Sequence, residues 1–290
     1  MSNEPVLITE IPSLPQRADD AHKGEVGRIV IVGGRMNEFG MIGAPALAAN
    51  AALRSGAGLV QIVVTAEAQA EVARLAPCAT TRRFSPGGPP LSTLAIEFGA
   101  DAVALGPGLD PSVTADVILE LLNDYSGNVV LDADGLNTLA AAGRWEASWP
   151  DQVVLTPHPG ELRRLIDGLG VDTDPEDRRQ AATDLALRTG AAVVLKGAGT
   201  VVSDGDRIYV NPTGNSGLAT GGTGDALTGI IAGLLGQQMS RINATVLGVY
   251  LHGLAGDIGA EELGRLSLTA WDLLDFIPEA ILELEPEEPE

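Results

Sequence analysis

The stretch from Asn211 to Leu235, NPTGNSGLATGGTGDALTGIIAGLL, is the most informative part of the sequence for predicting the fold. Its first part is rich in glycine, and immediately after Asp225 the residues become small and apolar at helical spacing. This pattern predicts a glycine loop that leads directly into a buried helix. Glycines let backbone N–H groups converge on an oxygen-rich ligand, and the first turn of a helix adds unpaired N–H groups and a positive dipole end. The stretch therefore predicts an anion site built from backbone.

Asp225 lies at the mouth of this predicted anion site. A carboxylate beside bound phosphate is electrostatically unfavourable unless it has a role, such as accepting a proton from an attacking hydroxyl or holding a metal ion. Asp is also a common N-cap residue, so a purely structural role is an equal alternative on spacing alone.

Length and composition favour one domain. The chain has 290 residues, of which 45% are hydrophobic and 20% charged, and no linker interrupts it. We therefore expect a single domain over residues 1–290, with a flexible lead-in over 1–20 and a flexible acidic tail over 285–290.

The charge and cysteine content exclude several functions. A formal net charge of −21 without a basic stripe argues against nucleic-acid binding. No apolar run reaches membrane-spanning length, and the N-terminus lacks a leader pattern. The single cysteine, Cys78, excludes an internal disulfide and is expected to pack as a small hydrophobe. These features predict a cytoplasmic protein that binds neither nucleic acid nor membrane.

The order of predicted elements indicates an α/β fold. A buried strand over 28–32, an Ala-rich helix between Gly40 and Gly56, a strand over 59–65 and a helix over 67–75 begin a β-α-β-α pattern. Such a pattern is typical of a mostly parallel central sheet with helices on both faces. Two β-rich runs joined by Asp204-Gly205 predict a hairpin just before the glycine loop, so the last part of the sheet is expected to be antiparallel.

Four loops at the ends of further predicted strands are candidate ligand sites, because open α/β sheets bind ligands there. They are Gly106 to Asp110, Asp132 to Asn137, Thr156 to Glu161 and Lys196 to Thr200. Asp132 and Asp134 suit Mg²⁺ held through water, or a polar ligand. Either could instead cap a helix that starts near Leu136, and for Asp134 this is the favoured interpretation.

His158 and Lys196 are candidate contacts within these loops. His158 lies between two prolines, so its backbone is stiff and extended and fixes the direction of the imidazole. A lone histidine is more often structural than functional, which is the alternative interpretation. Because His158 lies in a rigid strand-to-helix loop and Glu161 opens the next helix, His158 is a candidate substrate contact, whereas His22 and His252 have no comparable setting. Lys196 is followed by a glycine-containing loop and suits a phosphate or nucleotide contact, the alternative being an ordinary exposed lysine.

Taken together, six motifs resemble the ADP- or ATP-dependent NAD(P)H-hydrate dehydratases of the ribokinase-like superfamily, over nearly the whole chain. The motifs are Gly106 to Leu109, the other three strand-end loops, the stretch from Asn211 to Asp225, and His22 to Arg28. The resemblance implies a ribokinase-like fold and repair of the (6S) hydrate of NADH or NADPH. It also implies ADP (or ATP) as phosphoryl donor, Mg²⁺ as cofactor and a homotetramer. The ring hydroxyl would be phosphorylated first, and phosphate would then be expelled.

The resemblance also implies site residues. Asp225 is the implied catalytic base. The implied contacts to the hydrate are Ala44, Gly108, His158 and Asp225, and those to the adenine nucleotide are Lys196, Gly197, Ala198, Gly199, Thr200 and Gly224. The amides of Gly222, Thr223 and Gly224 form the implied anion hole. No metal ligands are assigned, because Mg²⁺ would be held largely by phosphate and water.

Two other functions are compatible with the glycine loop. The first is a ribokinase-like kinase that phosphorylates a vitamin-precursor alcohol, such as a hydroxymethylpyrimidine or a hydroxyethylthiazole, and releases the ester. The second is a non-catalytic module that senses adenine nucleotides. The setting of His158 and the loop Gly106 to Leu109 favour the dehydratase over the kinase, and the presence of Asp225 disfavours the module.

Overall fold

A computed structural model describes residues 4–36, 38–146, 149 and 152–285. Most of the acidic tail that was predicted to be flexible, residues 286–290, lies outside these described residues. Within the described ranges, no helix is both long and apolar enough to cross a bilayer.

In the part of the chain that the structure describes, ten strands form one sheet. They are β1 (Val6–Leu7), β2 (Arg28–Val32), β3 (Leu59–Thr65), β4 (Thr80–Phe84), β5 (Ala102–Leu105), β6 (Asn128–Leu131), β7 (Val153–Leu155), β8 (Ala192–Leu195), β9 (Val201–Ser203) and β10 (Arg207–Val210). Their order is β1-β10-β9-β8-β7-β6-β5-β2-β3-β4. All neighbours from β4 to β8 pair in parallel, whereas β9 is antiparallel to both β8 and β10. The predicted hairpin and the mostly parallel sheet are therefore confirmed.

Helices cover both faces of the sheet. They are α1 (Gly43–Arg54), α2 (Gln69–Leu75), α3 (Leu91–Phe98), α4 (Ala115–Asp124), α5 (Ala133–Ala142), α6 (Pro159–Leu169), α7 (Arg178–Thr189), α8 (Thr223–Gly236), α9 (Arg241–Leu263) and α10 (Ala270–Leu282). Strand side chains alternate between two cores, because successive residues of a strand point to opposite faces. In β2, Ile29 and Ile31 join the core of α1, α8, α9 and α10, while Val30 and Val32 join the core of α3 to α7.

The central helix α8 packs closely along α1 because both present small residues at the contact. A Cβ atom on Gly229 would lie 2.1 Å from the carbonyl oxygen of Ala48, and one on Gly233 would lie 2.9 Å from that of Ala52. A side chain at Gly229 or Gly233 would therefore clash with the backbone of α1. The close contact between α1 and α8 holds the glycine loop at a fixed place against the sheet.

Several parts of the chain differ from the sequence-based expectations. Strand β4 and helix α3 were not predicted. The sequence of β4, TTRRF, lacks the alternation of apolar and polar residues that indicates a strand. Strand β1 lies within the segment expected to be a flexible lead-in, and it pairs with β10 at the edge of the sheet. Cys78 is exposed rather than packed as a small hydrophobe, since it lies in the turn between α2 and β4.

Candidate active site

The sheet has a topological switch point between β2 and β5, and the loops that follow these strands meet there. The N–H of Gly34 donates hydrogen bonds to the carbonyl oxygens of Pro107 (3.1 Å) and Gly108 (3.0 Å). Gly108 has a positive φ of 61°, and a Cβ atom on it would lie 3.5 Å from the Cβ of Ala44 at the start of α1. The structure therefore brings together Ala44 and Gly108, two of the predicted hydrate contacts.

The glycine loop enters α8 as the sequence predicts. Gly222 is the N-cap residue, with a φ of 97°, and a Cβ atom on it would lie 2.6 Å from the side chain of Leu47 in α1. The first bond inside the helix runs from the N–H of Ala226 to the oxygen of Gly222. The N–H groups of Thr223 and Gly224, in the first turn, thus remain outside the intrahelical hydrogen-bond ladder, as an anion site requires.

Asp225 lies inside this first turn and is not the N-cap, so its interpretation as a cap is wrong. Its carboxylate makes no hydrogen bond or ion pair with the part of the chain that the structure describes. Burial raises the pKa of Asp225 to about 7, the negative charge of Asp132 adds to this effect, and Lys196 opposes it. Asp225 can therefore accept and release a proton near neutral pH, as a general base must.

Lys196 lies next to two buried carboxylates. Its Nζ is 2.6 Å from Asp132 Oδ1 and 3.9 Å from Glu161 Oε2, and only 17% of its side chain is exposed, so the alternative of an ordinary exposed lysine is wrong. Burial lowers the pKa of Lys196, but the carboxylates of Asp132 and Glu161 outweigh it and leave the pKa above its usual value. Burial also raises the pKa of Glu161, although Lys196 opposes this. Lys196 is held as a cation beside α8.

Neither aspartate of the loop after β6 acts as a helix cap through its side chain. Asp132 is the N-cap residue of α5 by position but makes no cap hydrogen bond, because its Oδ2 accepts from the hydroxyl of Thr228 at 2.7 Å. Asp134 lies within the first turn of α5 and pairs with Arg35 at 2.8 Å, so the favoured interpretation of Asp134 as a cap is wrong.

His158 has the extended backbone that its two prolines predict, and it also caps α6. Its Nδ1 accepts hydrogen bonds from the N–H groups of Gly160 (3.0 Å) and Glu161 (3.3 Å), while Glu161 accepts one from the N–H of His158 (2.8 Å). The Nε2 atom lies 3.2 Å from Glu161 Oε1, and half of the imidazole side chain stays exposed. The capping role was not predicted, and it fixes the ring more firmly than the prolines alone.

A cleft of about 480 Å³ opens beside the first turn of α8. It is lined by the loop Lys196–Thr200, by residues 211–216, by Gly224 and by one face of α9. All six residues predicted to contact the adenine nucleotide line this cleft, whereas Ala44, Gly108, His158 and Asp225 do not. Its volume is in the range of small-molecule and cofactor sites.

His252 also lines this cleft, although its sequence setting gave no reason to expect a role there. Its Nε2 donates a hydrogen bond to the carbonyl oxygen of Thr223 at 2.9 Å, which fixes the first turn of α8. Burial lowers the pKa of His252 to about 4, so the imidazole is neutral. His252 lies inside a helix and not in a strand-end loop. The signal that could have indicated its position is that Val249, His252 and Gly253, which all line the cleft, share one face of that helix.

Comparison with known proteins identifies the family. A family model for NAD(P)H-hydrate dehydratase matches residues 29–279. The chain belongs to this family. It is 44% identical to the bifunctional NAD(P)H-hydrate repair enzyme Nnr of Moorella thermoacetica, over 94% of this chain and 53% of that protein. The chain thus spans about half the length of the curated relatives that it matches.

Solved structures agree with this membership of the dehydratase family. The ADP/ATP-dependent NAD(P)H-hydrate dehydratase of Bacillus subtilis, co-crystallised with ATP/Mg²⁺, is 34% identical and superposes with a TM-score of 0.80 over 94% of this chain and 95% of that one. A ribokinase-like superfamily protein of Enterococcus faecalis V583 is 26% identical, with a TM-score of 0.80 over 96% of both chains. The predicted ribokinase-like α/β fold is therefore confirmed.

Proposed function

We propose that this protein catalyses the ADP-dependent dehydration of the (6S) hydrate of NADH or NADPH, restoring the dihydronicotinamide. Membership of the dehydratase family supports the proposal. The observation that carries it is Asp225, whose pKa is raised to about 7 within the helix turn that borders the cleft. A base of this pKa, next to free amides and a buried cation, suits transfer of a phosphoryl group to a hydroxyl.

The proposed reaction has two steps. The ring hydroxyl attacks the terminal phosphorus of the donor, its proton passes to Asp225, and the bond from phosphorus to the bridging oxygen breaks. The carbon–oxygen bond of the phosphorylated ring then breaks as the ring nitrogen donates electrons, phosphate leaves, and the neighbouring ring carbon loses a proton. Amides of Gly222, Thr223 and Gly224 would stabilise charge on the transferring group. Lys196, close to Gly224, would add a positive charge.

We propose that the adenine nucleotide occupies the cleft lined by Lys196–Thr200 and Gly224, and that ADP is the donor, with ATP as the alternative. The described residues contain no group of three or more His, Cys, Asp or Glu side chains suited to a metal. Asp132 already binds Lys196 and Thr228. Mg²⁺ would therefore be held mainly by nucleotide phosphates and water, where it would neutralise phosphate charge.

For the hydrate we propose contacts from Ala44, Gly108, His158 and Asp225. The small side chain of Ala44 would suit a flat ring beside the switch point. A Cβ atom on Gly108 would lie 2.7 Å from the carbonyl oxygen of Met41, so glycine at this position allows the loop after β5 to pack closely against the segment that precedes α1. His158 presents an imidazole that is half exposed and held in direction by Glu161.

The direct test is an assay with purified protein, ADP, Mg²⁺ and the NADH hydrate, followed by the absorbance of the dihydronicotinamide. We expect a gain of absorbance that depends on nucleotide, and none with the Asp225→Asn variant. No gain with ADP or ATP, together with stable phosphorylation of a hydroxymethylpyrimidine or hydroxyethylthiazole, would instead establish the kinase. That alternative is the less supported one, because the family model and the curated relatives are named for hydrate repair.

We further propose that the chain acts as a single domain, as a homotetramer and in the cytoplasm. One sheet runs through the described residues, which supports a single folding unit. Light scattering coupled to size-exclusion chromatography measures the subunit number directly.

A further inference from the structure

Arg178, the first residue of α7, is bound to the backbone of the loop between β8 and β9. Its guanidinium donates hydrogen bonds to the carbonyl oxygens of Leu195 (3.1 Å), Lys196 (3.3 Å) and Ala198. Three acceptors, one at the end of β8 and two on the loop that follows, need a forked donor, which arginine has and lysine lacks.

This position is unfavourable for an arginine by itself. A cation at the N-terminus of a helix opposes the helix dipole. Within the described residues Arg178 has no carboxylate partner, and its buried Nε has no hydrogen-bond partner. Burial also lowers the pKa of Arg178. The stabilising interactions of this guanidinium are those with the loop.

Most carbonyl groups of this loop are hydrogen-bonded within the protein, whereas its N–H groups are not. In addition to the three carbonyls bound by Arg178, that of Gly197 accepts from the hydroxyl of Thr200 (3.0 Å) and that of Thr200 accepts from the N–H of Asn211 (2.9 Å). By contrast, the N–H groups of residues 197–200 have no acceptor among the residues that the structure describes. These N–H groups are free to bind an acceptor from a ligand.

One side of the loop faces the cleft, and the other side faces Arg178. Residues 196–200 line the cleft, whereas Arg178 does not, so the guanidinium contacts the loop from outside. Gly197 has a φ of 137°, and a Cβ atom on it would lie 3.1 Å from a terminal nitrogen of Arg178. A side chain at position 197 would therefore separate the guanidinium from the loop.

We propose that Arg178 is a positioning residue for the nucleotide site: it holds the carbonyls of the loop Lys196–Thr200 outward and so presents the free N–H groups of that loop to hydrogen-bond acceptors of an adenine nucleotide. The proposal rests on the proposed function of the cleft. It requires binding of nucleotide there, but it does not require that the hydrate be the substrate.

The test measures ADP binding by calorimetry, without the hydrate, for wild type and three variants. Arg178→Met should raise the Kd for ADP about tenfold or more, since charged hydrogen bonds that shape the site are lost. The Kd of Arg178→Lys should lie between those of wild type and Arg178→Met, because lysine keeps the positive charge but can make at most some of the hydrogen bonds of the guanidinium. Arg179→Met is the matched control, at an exposed neighbour without a side-chain hydrogen bond or ion pair to the described residues, and should stay within about twofold.

A second readout separates positioning from general loss of structure. In Arg178→Lys we expect the KM for ADP to rise while the KM for the hydrate and the melting temperature without ligand change little. An unchanged Kd for ADP in both Arg178 variants overturns the inference, even if their stability falls. If wild type binds ADP yet lacks dehydratase activity, the proposed reaction fails while the role of Arg178 stands; if wild type binds no adenine nucleotide, both fail.

Discussion

Asp132 and Lys196 form a buried ion pair at the carboxyl ends of β6 and β8, with 2.6 Å between Oδ1 and Nζ. The second oxygen of Asp132 accepts from Thr228 on α8, so the pair ties two strand ends to the helix that begins at the anion site. Only 2% of the Asp132 side chain is exposed. The pair thus fixes the ammonium beside Gly224, where a transferring phosphoryl group is proposed to lie.

Removing one partner of this pair should lower the free energy of unfolding more than removing both partners. We expect Asp132→Asn to lower the free energy of unfolding by about 3 kcal/mol, because the buried ammonium of Lys196 would lose its hydrogen-bonded counter-charge and keep only the more distant carboxylate of Glu161, at 3.9 Å. Combining Asp132→Asn with Lys196→Met should recover part of that loss in urea unfolding. Glu97→Gln, which breaks the exposed pair with Arg82, is the control and should cost below about 1 kcal/mol. Strictly additive losses for the buried pair would contradict this account.

The raised pKa of Asp225 predicts a pH-dependent stability. Its folded-state pKa of about 7 lies above its ordinary value of 3.8, so folding takes up a proton and stability falls as pH rises through this window. Asp225→Asn removes the unfavourable burial of an ionised carboxylate, so at about pH 8 the variant should be more stable than wild type by at least about 1 kcal/mol. Denaturant unfolding at several pH values measures the difference. A difference that does not change between about pH 4 and about pH 8 would show that Asp225 has no raised pKa.

The same group predicts the pH profile of the proposed reaction. Because the base must be deprotonated, kcat/KM should fall as pH drops through about 7. In Asp225→Asn turnover should be lost while ADP still binds, which calorimetry can show. Turnover that survives the substitution would assign the base to another residue.

Local sequence patterns correctly predicted those elements of the fold that have a clear periodicity or turn residue. The β-branched run of β2, the small residues of α1 and the glycine loop before α8 each have a periodicity or a turn residue that propensity explains. The polar edge strand β4 has neither, so it was not predicted. The six predicted nucleotide contacts, all of which line the cleft, came from the family resemblance of two glycine-containing loops, whereas His252 on α9 lines the same cleft without such a motif.

Contacts between distant parts of the chain were beyond such patterns. Asp132 and Lys196 are 64 residues apart, and Arg35 and Asp134 are 99 apart. Their pairing depends on the order of strands in the sheet, which no local window contains. The roles of His252 and Arg178 were not predicted, because each side chain binds the backbone of another element, and a residue type in a helix gives no sign of such a partner.

His252 predicts a stability effect at acid pH of the opposite sign to that of Asp225. Its folded-state pKa of about 4 lies below its ordinary 6.5, so the unfolded chain binds a proton that the folded chain does not. Stability should fall as pH drops from 6.5 towards 4, by up to about 3 kcal/mol. His252→Gln, which can still donate to Thr223, should lose less stability over this range. His22→Gln, at an exposed histidine, is the control and should follow wild type at every pH; identical slopes for all three proteins would refute the effect.

Gly224 offers a test in which stability and binding change in opposite directions. It lies in the first turn of α8, and a Cβ atom on it would lie 3.4 Å from Nζ of Lys196, on the wall of the cleft. Gly224→Ala should raise helix stability by about 0.5–1 kcal/mol, because alanine restricts the unfolded chain. It should also weaken ADP binding, since the methyl group narrows the approach to the free amides and to the ammonium.

Gly221→Ala is the matched control for this substitution. A Cβ atom there meets nothing within 4 Å, and Gly221 lies outside the lining of the cleft. Alanine restricts the unfolded chain at either position, so Gly221→Ala should not lower stability, but it should leave the ADP affinity unchanged. Thermal unfolding and calorimetry on the two variants check both effects. Unchanged ADP affinity in Gly224→Ala would mean that bound nucleotide does not reach the start of α8, and the amides of that turn would then have no part in phosphoryl transfer.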